Sequence, residues 1–211
     1  VRFEAGTSIR LTDDDAVAIR DQCPAIQYVS PIVRSTEQVV AGNLNWRTQI
    51  QGVMPEYLII RDWPLESGSV FTDSDIRAAT KVCILGQTVV KNLFGENVDP
   101  IGQTIRIRKQ PFKVIGVLIA KGQNAGGHDQ DDFIVAPFST VQKKILGITW
   151  VNTIYASALS QAAIYDAQNQ ITDLLRSRHK LLPWEDNDFT VRNQTDIASM
   201  AEATSKTLTV L

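Results

Sequence analysis

The feature that most constrains the fold is a run of closely spaced turn and cap signals between Gly68 and Gly116. Thr72 predicts the start of a short helix, and Gly95 predicts a left-handed helix stop. The signals occur in five short sequence motifs: Phe71-Thr72-Asp73-Ser74-Asp75, Val82-Cys83-Ile84-Leu85-Gly86, Leu93-Phe94-Gly95, Asp99-Pro100-Ile101-Gly102 and Val114-Ile115-Gly116-Val117. Elements this short predict a small mixed β/α lobe, with a strand at 81–85 and a helix at 87–93.

The rest of this lobe is predicted to be mainly β. Strands are expected at 103–108 and 112–120, joined by a turn at Lys109-Gln110-Pro111. A Gly-rich loop follows, then a strand at 133–136 and a short helix from Ser139 to Gly147.

Residues before this lobe predict a helix and a long hairpin. Thr12 and Asp15 form the cap and third position of a capping box, and Pro24 ends the helix. β-type residues from Gln27 onward lead to a turn at Ala41-Gly42-Asn43 and a return strand over 46–53.

The last third predicts a β-α-β order. A strand is expected at 152–158, a long helix capped by Ser160, and a strand at 188–192. The helix carries an apolar stripe of Ile164, Ala167, Ile171, Leu174 and Leu175. A final helix is predicted from Asn193 or Thr195 to Leu211.

Two linkers are predicted, near 61–68 and 147–151, so that the middle lobe is an insertion. The fold class is therefore α+β with two lobes. The discontinuous lobe comprises residues 1–60 and 151–194, the inserted lobe comprises 61–150, and residues 195–211 start a helix that leaves the domain.

Charge and hydropathy exclude several classes of protein. The 21 Lys and Arg residues against 23 Asp and Glu give a net charge of −2, which offers no field for nucleic acid. The densest basic cluster is interpreted as cations at a helix end: Arg176, Arg178, His179 and Lys180. The longest apolar stretch, 114–120, is too short to cross a bilayer.

One polar loop, 121–132, resembles a metal-binding loop because it contains His128, Asp129, Asp131 and Asp132. Its spacing fails the EF-hand pattern, so a solvated loop that joins two strands is predicted. Cys23 and Cys83 are interpreted as small buried hydrophobic residues, and a disulfide between them stays open. Trp63 and Trp184 are interpreted as lids over the edge of a core.

No active site is predicted within the chain. A nucleotide P-loop and a Gly-x-Ser-x-Gly elbow are both absent from the sequence. Neither histidine, His128 or His179, has a recognisable nucleophile as partner. We therefore predict no catalytic residue, no cofactor-binding residue and no metal ligand in this domain, which is expected not to be an enzyme.

Short motifs occur along the chain from Leu11-Thr12 to Asp188-Phe189. Taken together and in this order, they resemble the extracytoplasmic domain of MacB-family ABC transporter permeases. That resemblance implies a lobe similar to the porter modules of efflux pumps and an inserted lobe called Sabre. It also implies that residues 196–211 begin the outgoing stalk. Family members usually have a strand just after the first membrane helix, and this chain is expected to begin in the loop after that strand.

The resemblance implies a periplasmic domain of an inner-membrane protein that works by mechanotransmission. ATP and Mg would bind a separate nucleotide-binding domain or subunit. The implied partners are a second permease subunit, a periplasmic adaptor and, through it, a TolC-type outer-membrane duct for efflux of macrolides, peptides or similar molecules. The alternative hypothesis is a periplasmic ligand-binding or sensor module that captures substrate between its lobes.

Overall fold

The structure is a computed structural model of the chain and describes residues 2–5 and 11–193. Its helices are α1 Asp13–Gln22, α2 Tyr57–Ile60, α3 Asp73–Ala78, α4 Gln87–Phe94 and α5 Ile164–Arg178, together with a π-helix, Thr140–Leu146, and a 3-10 turn, Gln161–Ala163. Its strands are β1 Arg2–Ala5, β2 Ile26–Ala41, β3 Leu44–Val53, β4 Leu65–Gly68, β5 Val82–Leu85, β6 Thr104–Ile107, β7 Gln110–Leu118, β8 Phe133–Pro137, β9 Thr153–Ala158 and β10 Phe189–Arg192. The predicted α+β class is confirmed. The predicted stalk, 195–211, lies outside the described residues.

The chain divides into two compact units. The terminal unit comprises residues 1–29 and 150–211, and the central unit comprises residues 30–149. The compact units place residues 30–60 in the central unit, whereas the sequence boundary at residue 60 assigned them to the discontinuous lobe. They belong there because β3 pairs in parallel with β8 and the end of β2 pairs with β6. The assignment of residues 1–60 and 151–194 to a porter-like lobe, and of residues 61–150 to a Sabre-like lobe, stays a prediction.

Six strands of the central unit form a closed ring. Each is hydrogen-bonded to the next in the order β2-β3-β8-β5-β7-β6, and β6 pairs with β2 through Val39↔Ile107 and Val40↔Arg106. β4 adds to β7 outside this ring. Closure covers backbone groups that would otherwise lie at open sheet edges.

Fully buried side chains fill this unit, and they alternate with exposed ones along β6. The largest include Ile50, Ile84, Leu85, Ile105, Ile107, Phe112 and Leu118. Burial of each such side chain contributes about 1.5–3 kcal/mol relative to exposure. The strand ring and its apolar interior therefore depend on each other.

Three local predictions in the central unit differ from the structure. The β6–β7 turn lies at Arg108-Lys109, whose φ values are +48° and +66°, so Pro111 lies within β7. Neither residue is the Gly or Asn that marks such turns. The segment expected to be a linker at 61–68 contains β4, which pairs with β7. The helix after Ser139 is a π-helix, and it ends at the left-handed Gly147 as expected.

The terminal unit has a small antiparallel sheet in which β1 lies between β9 and β10. The expectation that the chain begins in a loop is wrong, because residues 2–5 form β1; a run of four residues is too short to show a strand period in the sequence. Three members of the α5 stripe are fully buried: Ala167, Ile171 and Leu175.

The two predicted helix starts at threonine are confirmed. Thr12 and Thr72 each form a complete capping box, with Asp15 and Asp75 respectively. The predicted cap at Ser160 is wrong: Ser160 precedes a 3-10 turn, makes no capping hydrogen bond, and α5 begins only at Ile164.

Gly86 provides a test of close packing in the central unit. A Cβ atom at this position would lie 2.1 Å from the backbone carbonyl oxygen of Asp131, which a side-chain rotation cannot relieve. We expect Gly86→Ala to lower the free energy of unfolding by about 2 kcal/mol or more, as overpacked cores do.

The matched control for Gly86→Ala is Gly116→Ala, where the nearest atom to the added methyl group would be the Ser69 carbonyl oxygen at 3.1 Å. Urea unfolding of both variants checks the prediction. An equal, small loss in the two variants would contradict it.

Candidate functional site

The two acids at the end of the polar loop, Asp131 and Asp132, hold the loop in place. The carboxylate of buried Asp131 accepts hydrogen bonds from the backbone N–H groups of Lys121 and Gly122, both at 2.8 Å. Asp132 Oδ1 accepts from Trp46 Nε1 and Thr48 Oγ1, also at 2.8 Å. Asp131 thus joins the two ends of the loop between β7 and β8, and Asp132 attaches the end of the loop to β3.

The remaining candidate ligands of the polar loop face solvent. Asp129 is exposed and accepts from the backbone N–H of Asp131 at 2.8 Å and from the Thr88 hydroxyl. His128 is exposed, and its backbone N–H donates to Asn124 Oδ1 at 3.0 Å. Within residues 2–5 and 11–193, no group of three or more His, Cys, Asp or Glu side chains has the arrangement of a metal site.

A shallow groove lies within the central unit beside the end of α4. Its volume is about 570 Å³, and it is lined by charged side chains that include Glu66, Lys91, Glu96 and Asp99. Lys91 Nζ lies 3.9 Å from Glu96 Oε1. The charged lining side chains are exposed, so the groove is a wet surface feature and is not an enclosed pocket.

The strongest electrostatic feature is a buried charge cluster in the terminal unit. His179 Nδ1 lies 2.8 Å from Asp188 Oδ1, and His179 Nε2 lies 3.0 Å from Asp15 Oδ2. Arg178 Nε donates to Asp15 Oδ1 at 2.8 Å. The side chains of His179 and Asp15 are only 5% and 4% exposed. The cluster thus joins the start of α1, the end of α5 and the residue before β10.

The geometry of the cluster favours a positive charge on His179. Both ring nitrogens face carboxylate oxygens, and an ionised carboxylate only accepts hydrogen bonds. With both carboxylates ionised, each ring nitrogen makes its hydrogen bond only when it carries a proton, so the arrangement favours the imidazolium form of His179. The cluster contains two cations, Arg178 and His179, and two anions, Asp15 and Asp188.

The pKa values of the cluster follow from this arrangement. Burial alone would raise the pKa of Asp15, but hydrogen bonds from Arg178 and His179 outweigh it and hold the pKa below its ordinary value. Burial alone would lower the pKa of His179, but hydrogen bonds to Asp188 and Asp15 outweigh it and raise the pKa.

Arg178 and His179 were expected only to be cations at a helix end. His179 does follow the last residue of α5, where positive charge is favourable. The interpretation was incomplete, because the two side chains also bind carboxylates from distant segments. Asp15 was recognised as a capping acid, but its spacing from residues 178 and 179 leaves no local pattern that predicts the contact.

The two tryptophans interpreted as lids behave differently. Trp63 is buried, donates from Nε1 to the carbonyl oxygen of Ile119 at 2.8 Å, and packs edge-on against Phe133. The lid prediction is confirmed for Trp63. It is wrong for Trp184, which is 77% exposed.

The two cysteines are both buried and free, as expected for small hydrophobic residues. Cys23 belongs to the terminal unit and Cys83 to the central unit. Burial raises the pKa of each thiol, so neither forms the reactive thiolate readily at neutral pH.

Comparison with known proteins supplies the functional context. A family model described as MacB-like periplasmic core domain matches residues 1–174. Two curated relatives described as macrolide export ATP-binding/permease protein MacB, from Syntrophobacter fumaroxidans and Rhodospirillum rubrum, are each 36% identical to this chain. The alignments cover 100% and 98% of this chain but 37% and 31% of the relatives. The chain thus spans about a third of their length.

Solved structures agree with these relatives. The periplasmic region of MacB from Actinobacillus actinomycetemcomitans is 26% identical, with a TM-score of 0.80 and coverage of 95% of this chain and 91% of that chain. The extracellular domain of the ABC-type transporter YknZ from Gram-positive bacteria shares the fold, with a TM-score of 0.75 at 17% identity and coverage of 92% and 99%. In the described part of this chain, no helix is long and apolar enough to cross a membrane.

The charge cluster predicts a pH-dependent contribution to stability. Because the pKa of His179 is raised in the folded state, its contribution is complete below its ordinary value of 6.5 and is lost as pH rises through the folded pKa. We expect His179→Gln to lower the free energy of unfolding by about 3 kcal/mol near pH 6. The difference from wild type should shrink as the pH rises through the folded pKa of His179.

The control for His179→Gln is Lys180→Gln, which removes an exposed cation from the same helix end. If His179 acted only on the helix dipole, the two variants would lose similar, small amounts of stability at every pH. Chemical unfolding as a function of pH separates the two cases. A pH-independent loss in His179→Gln would contradict the imidazolium assignment.

Burial of both thiols predicts that the native protein resists thiol reagents. We expect Ellman's reagent to leave Cys23 and Cys83 unmodified under native conditions and to modify both in guanidinium chloride, because only unfolding exposes them. Absorbance of the released thiolate measures this. Rapid native modification of either cysteine would contradict the packing described here.

Proposed function

This chain belongs to the family of MacB-like periplasmic core domains, and from that premise we propose that it transmits ATP-driven motion within an ABC-type permease of the inner membrane. The observation that carries the proposal is the match to the periplasmic region of a MacB protein over 95% of this chain. The proposed location is the periplasm, as the extracytoplasmic domain of that permease.

In this proposal the work is done by segments outside this chain. ATP and Mg bind a separate nucleotide-binding domain or subunit, whose dimerisation moves the membrane helices. Two permease subunits present paired copies of the domain, and the outgoing stalk at 195–211 passes the motion on. A periplasmic adaptor docks on the domain and leads to a TolC-type duct for macrolides, peptides or similar substrates. The domain itself has no catalytic role.

The build of the two units supports a mechanical role. In the central unit the strand ring is closed and its interior is filled by buried aliphatic and aromatic side chains. In the terminal unit a buried charge cluster joins two helices to a strand. We propose that the central unit corresponds to the Sabre-like lobe of the family and the terminal unit to the porter-like lobe.

The alternative hypothesis is a ligand-binding or sensor module. Capture between lobes would call for a cleft there, whereas the groove beside α4 lies entirely within the central unit. That groove does not favour the hypothesis.

Nucleotide-dependent movement of the paired domains tests mechanotransmission. A spin label on Asp173→Cys, at an exposed position of α5, reports the distance between the two copies in the full-length permease. We expect pulsed electron paramagnetic resonance to show a shift of at least about 2 Å between the nucleotide-free and ATP-trapped states, the scale of interface shifts in switching proteins.

The control for this measurement is a permease whose ATPase cannot bind nucleotide, in which the distance should not respond. Cys23 and Cys83 of this domain are buried and are expected to stay unlabelled; any cysteine elsewhere in the permease is replaced by serine. Identical distance distributions in the nucleotide-free and ATP-trapped wild type would overturn the proposal.

A further inference from the structure

His179 is attached to two segments of the terminal unit in unequal ways. Its Nε2 atom lies 3.0 Å from Asp15 Oδ2 of α1, and its Nδ1 atom lies 2.8 Å and 3.0 Å from the two carboxylate oxygens of Asp188, the residue before β10. The side chains of His179, Asp15 and Asp188 are only 5%, 4% and 11% exposed. Water therefore does not readily replace a contact that is lost here.

The Asp15 carboxylate has other donors besides His179. Arg178 Nε donates to Asp15 Oδ1 at 2.8 Å, and the backbone N–H of Thr12 donates to Asp15 Oδ2 at 3.2 Å. The guanidinium of an arginine stays charged at every pH at which a protein is normally studied. Asp15 therefore keeps a cation and a backbone donor whatever the charge on His179.

The Asp188 carboxylate depends on His179. Within residues 2–5 and 11–193, the imidazole ring is the only donor to this carboxylate. The ring of Phe189 stands edge-on to the His179 ring, with the two centroids 5.9 Å apart, and adds an apolar wall beside the contact. Loss of the proton on Nδ1 would leave a largely buried carboxylate unpaired, which is strongly unfavourable.

Arg178, Asp15 and Asp188 set the charge on His179. In the part of the chain that the structure describes, no other charged group contacts the ring nitrogens of His179. Arg176 of α5 instead donates to the carbonyl oxygens of Leu182 and Glu185. Other charged side chains near the cluster in sequence are exposed to solvent, namely Asp13, Asp14, Lys180, Glu185 and Asp186.

Loss of one proton forces a choice between the two carboxylates. A neutral imidazole has one N–H donor and one nitrogen lone pair, so its ring can donate to Asp15 or to Asp188 but not to both. A proton that stays on Nδ1 keeps Asp188 paired, and Asp15 still has its other donors. This tautomer is therefore favoured. It turns the Nε2 lone pair towards Asp15 Oδ2, and two acceptors that face each other at 3.0 Å repel.

We propose that His179 is a pH-dependent switch, which binds both α1 and the start of β10 when it is charged, and which releases Asp15 but keeps Asp188 when it is neutral. Arg178 limits the release, because it still joins α5 to Asp15. Helix α1 is loosened rather than detached, and β10 keeps its attachment to α5. The inference rests on the fold of the terminal unit and does not depend on the proposed function.

Nuclear magnetic resonance of the 211-residue chain tests the tautomer directly. Nitrogen-15 shifts of the imidazole ring distinguish the charged form from each neutral tautomer. His128→Gln identifies the signals of His179, because the sequence has only 2 histidines. Burial beside two carboxylates raises the pKa of His179 above its ordinary value of 6.5. We expect both ring nitrogens to be protonated below that value, and the proton to remain on Nδ1 once the pH exceeds the folded pKa.

Hydrogen–deuterium exchange tests which segment loosens. After correction for the intrinsic dependence of exchange on pH, loss of the His179 proton should lower the protection of α1 amides about three- to tenfold more than that of β10 amides, the equivalent of about one hydrogen bond. Arg178→Gln should lower α1 protection about tenfold further at high pH, where Asp15 has lost both cations, and much less at low pH. Lys180→Gln is the matched control, because it removes an exposed cation from the same helix end, and it should behave as wild type.

Three results would overturn the inference. A neutral His179 ring that carries its proton on Nε2 would mean that Asp188 is released instead. Exchange that increases in β10 and not in α1 would mean the same. A ring that stays doubly protonated until the chain unfolds would mean that no switch operates in the folded state. The tautomer is measured without a change in the cluster, so it decides the inference even if Arg178→Gln does not fold.

Discussion

Closure of the central strand ring depends on a short pairing between β6 and β2. Only Val39↔Ile107 and Val40↔Arg106 join these strands, yet they bring together segments that lie far apart in the chain. Val39 and Ile107 are both fully buried, so the pairing is reinforced by the apolar interior of the ring. The turn at Arg108-Lys109 follows directly, and Arg108 Nε also lies 2.8 Å from Glu37 Oε1 on β2.

In the terminal unit a buried charge cluster holds the helices and strands together, whereas in the central unit the closed strand ring does so. In the described part of the terminal unit, β1 lies between β9 and β10 and has only four residues, so few backbone hydrogen bonds hold it. The cluster of Asp15, Arg178, His179 and Asp188 joins α1, α5 and the start of β10. Removing one member of a buried charge cluster leaves its partners unpaired, which costs far more than losing a surface ion pair.

Several of the predictions that rested on a local signal were correct. Capping boxes at Thr12 and Thr72 and the glycine stop at Gly147 involve residues within one turn of each other, and all three are confirmed. The charge cluster could not be predicted, because Asp15 and His179 meet only through the tertiary fold. Exposure of Trp184 has the same origin, since composition cannot show whether a neighbouring element covers a side chain. The resemblance to the MacB family could be recognised because it rests on the order of many short motifs, each of which is a weak signal by itself.

A domain that passes motion on loses displacement wherever it deforms, so stiffness is a physical requirement of the proposed function. Close-packed interiors have low compressibility, which applies to the filled ring of the central unit. In the terminal unit, pulling β10 away from α1 would separate Asp188 and Asp15 from the imidazolium between them. Charges that are separated away from water find no other partner. The free-energy cost of separating them therefore rises steeply over small distances. The cluster therefore suits a unit in which a strand and two helices have to move as one body.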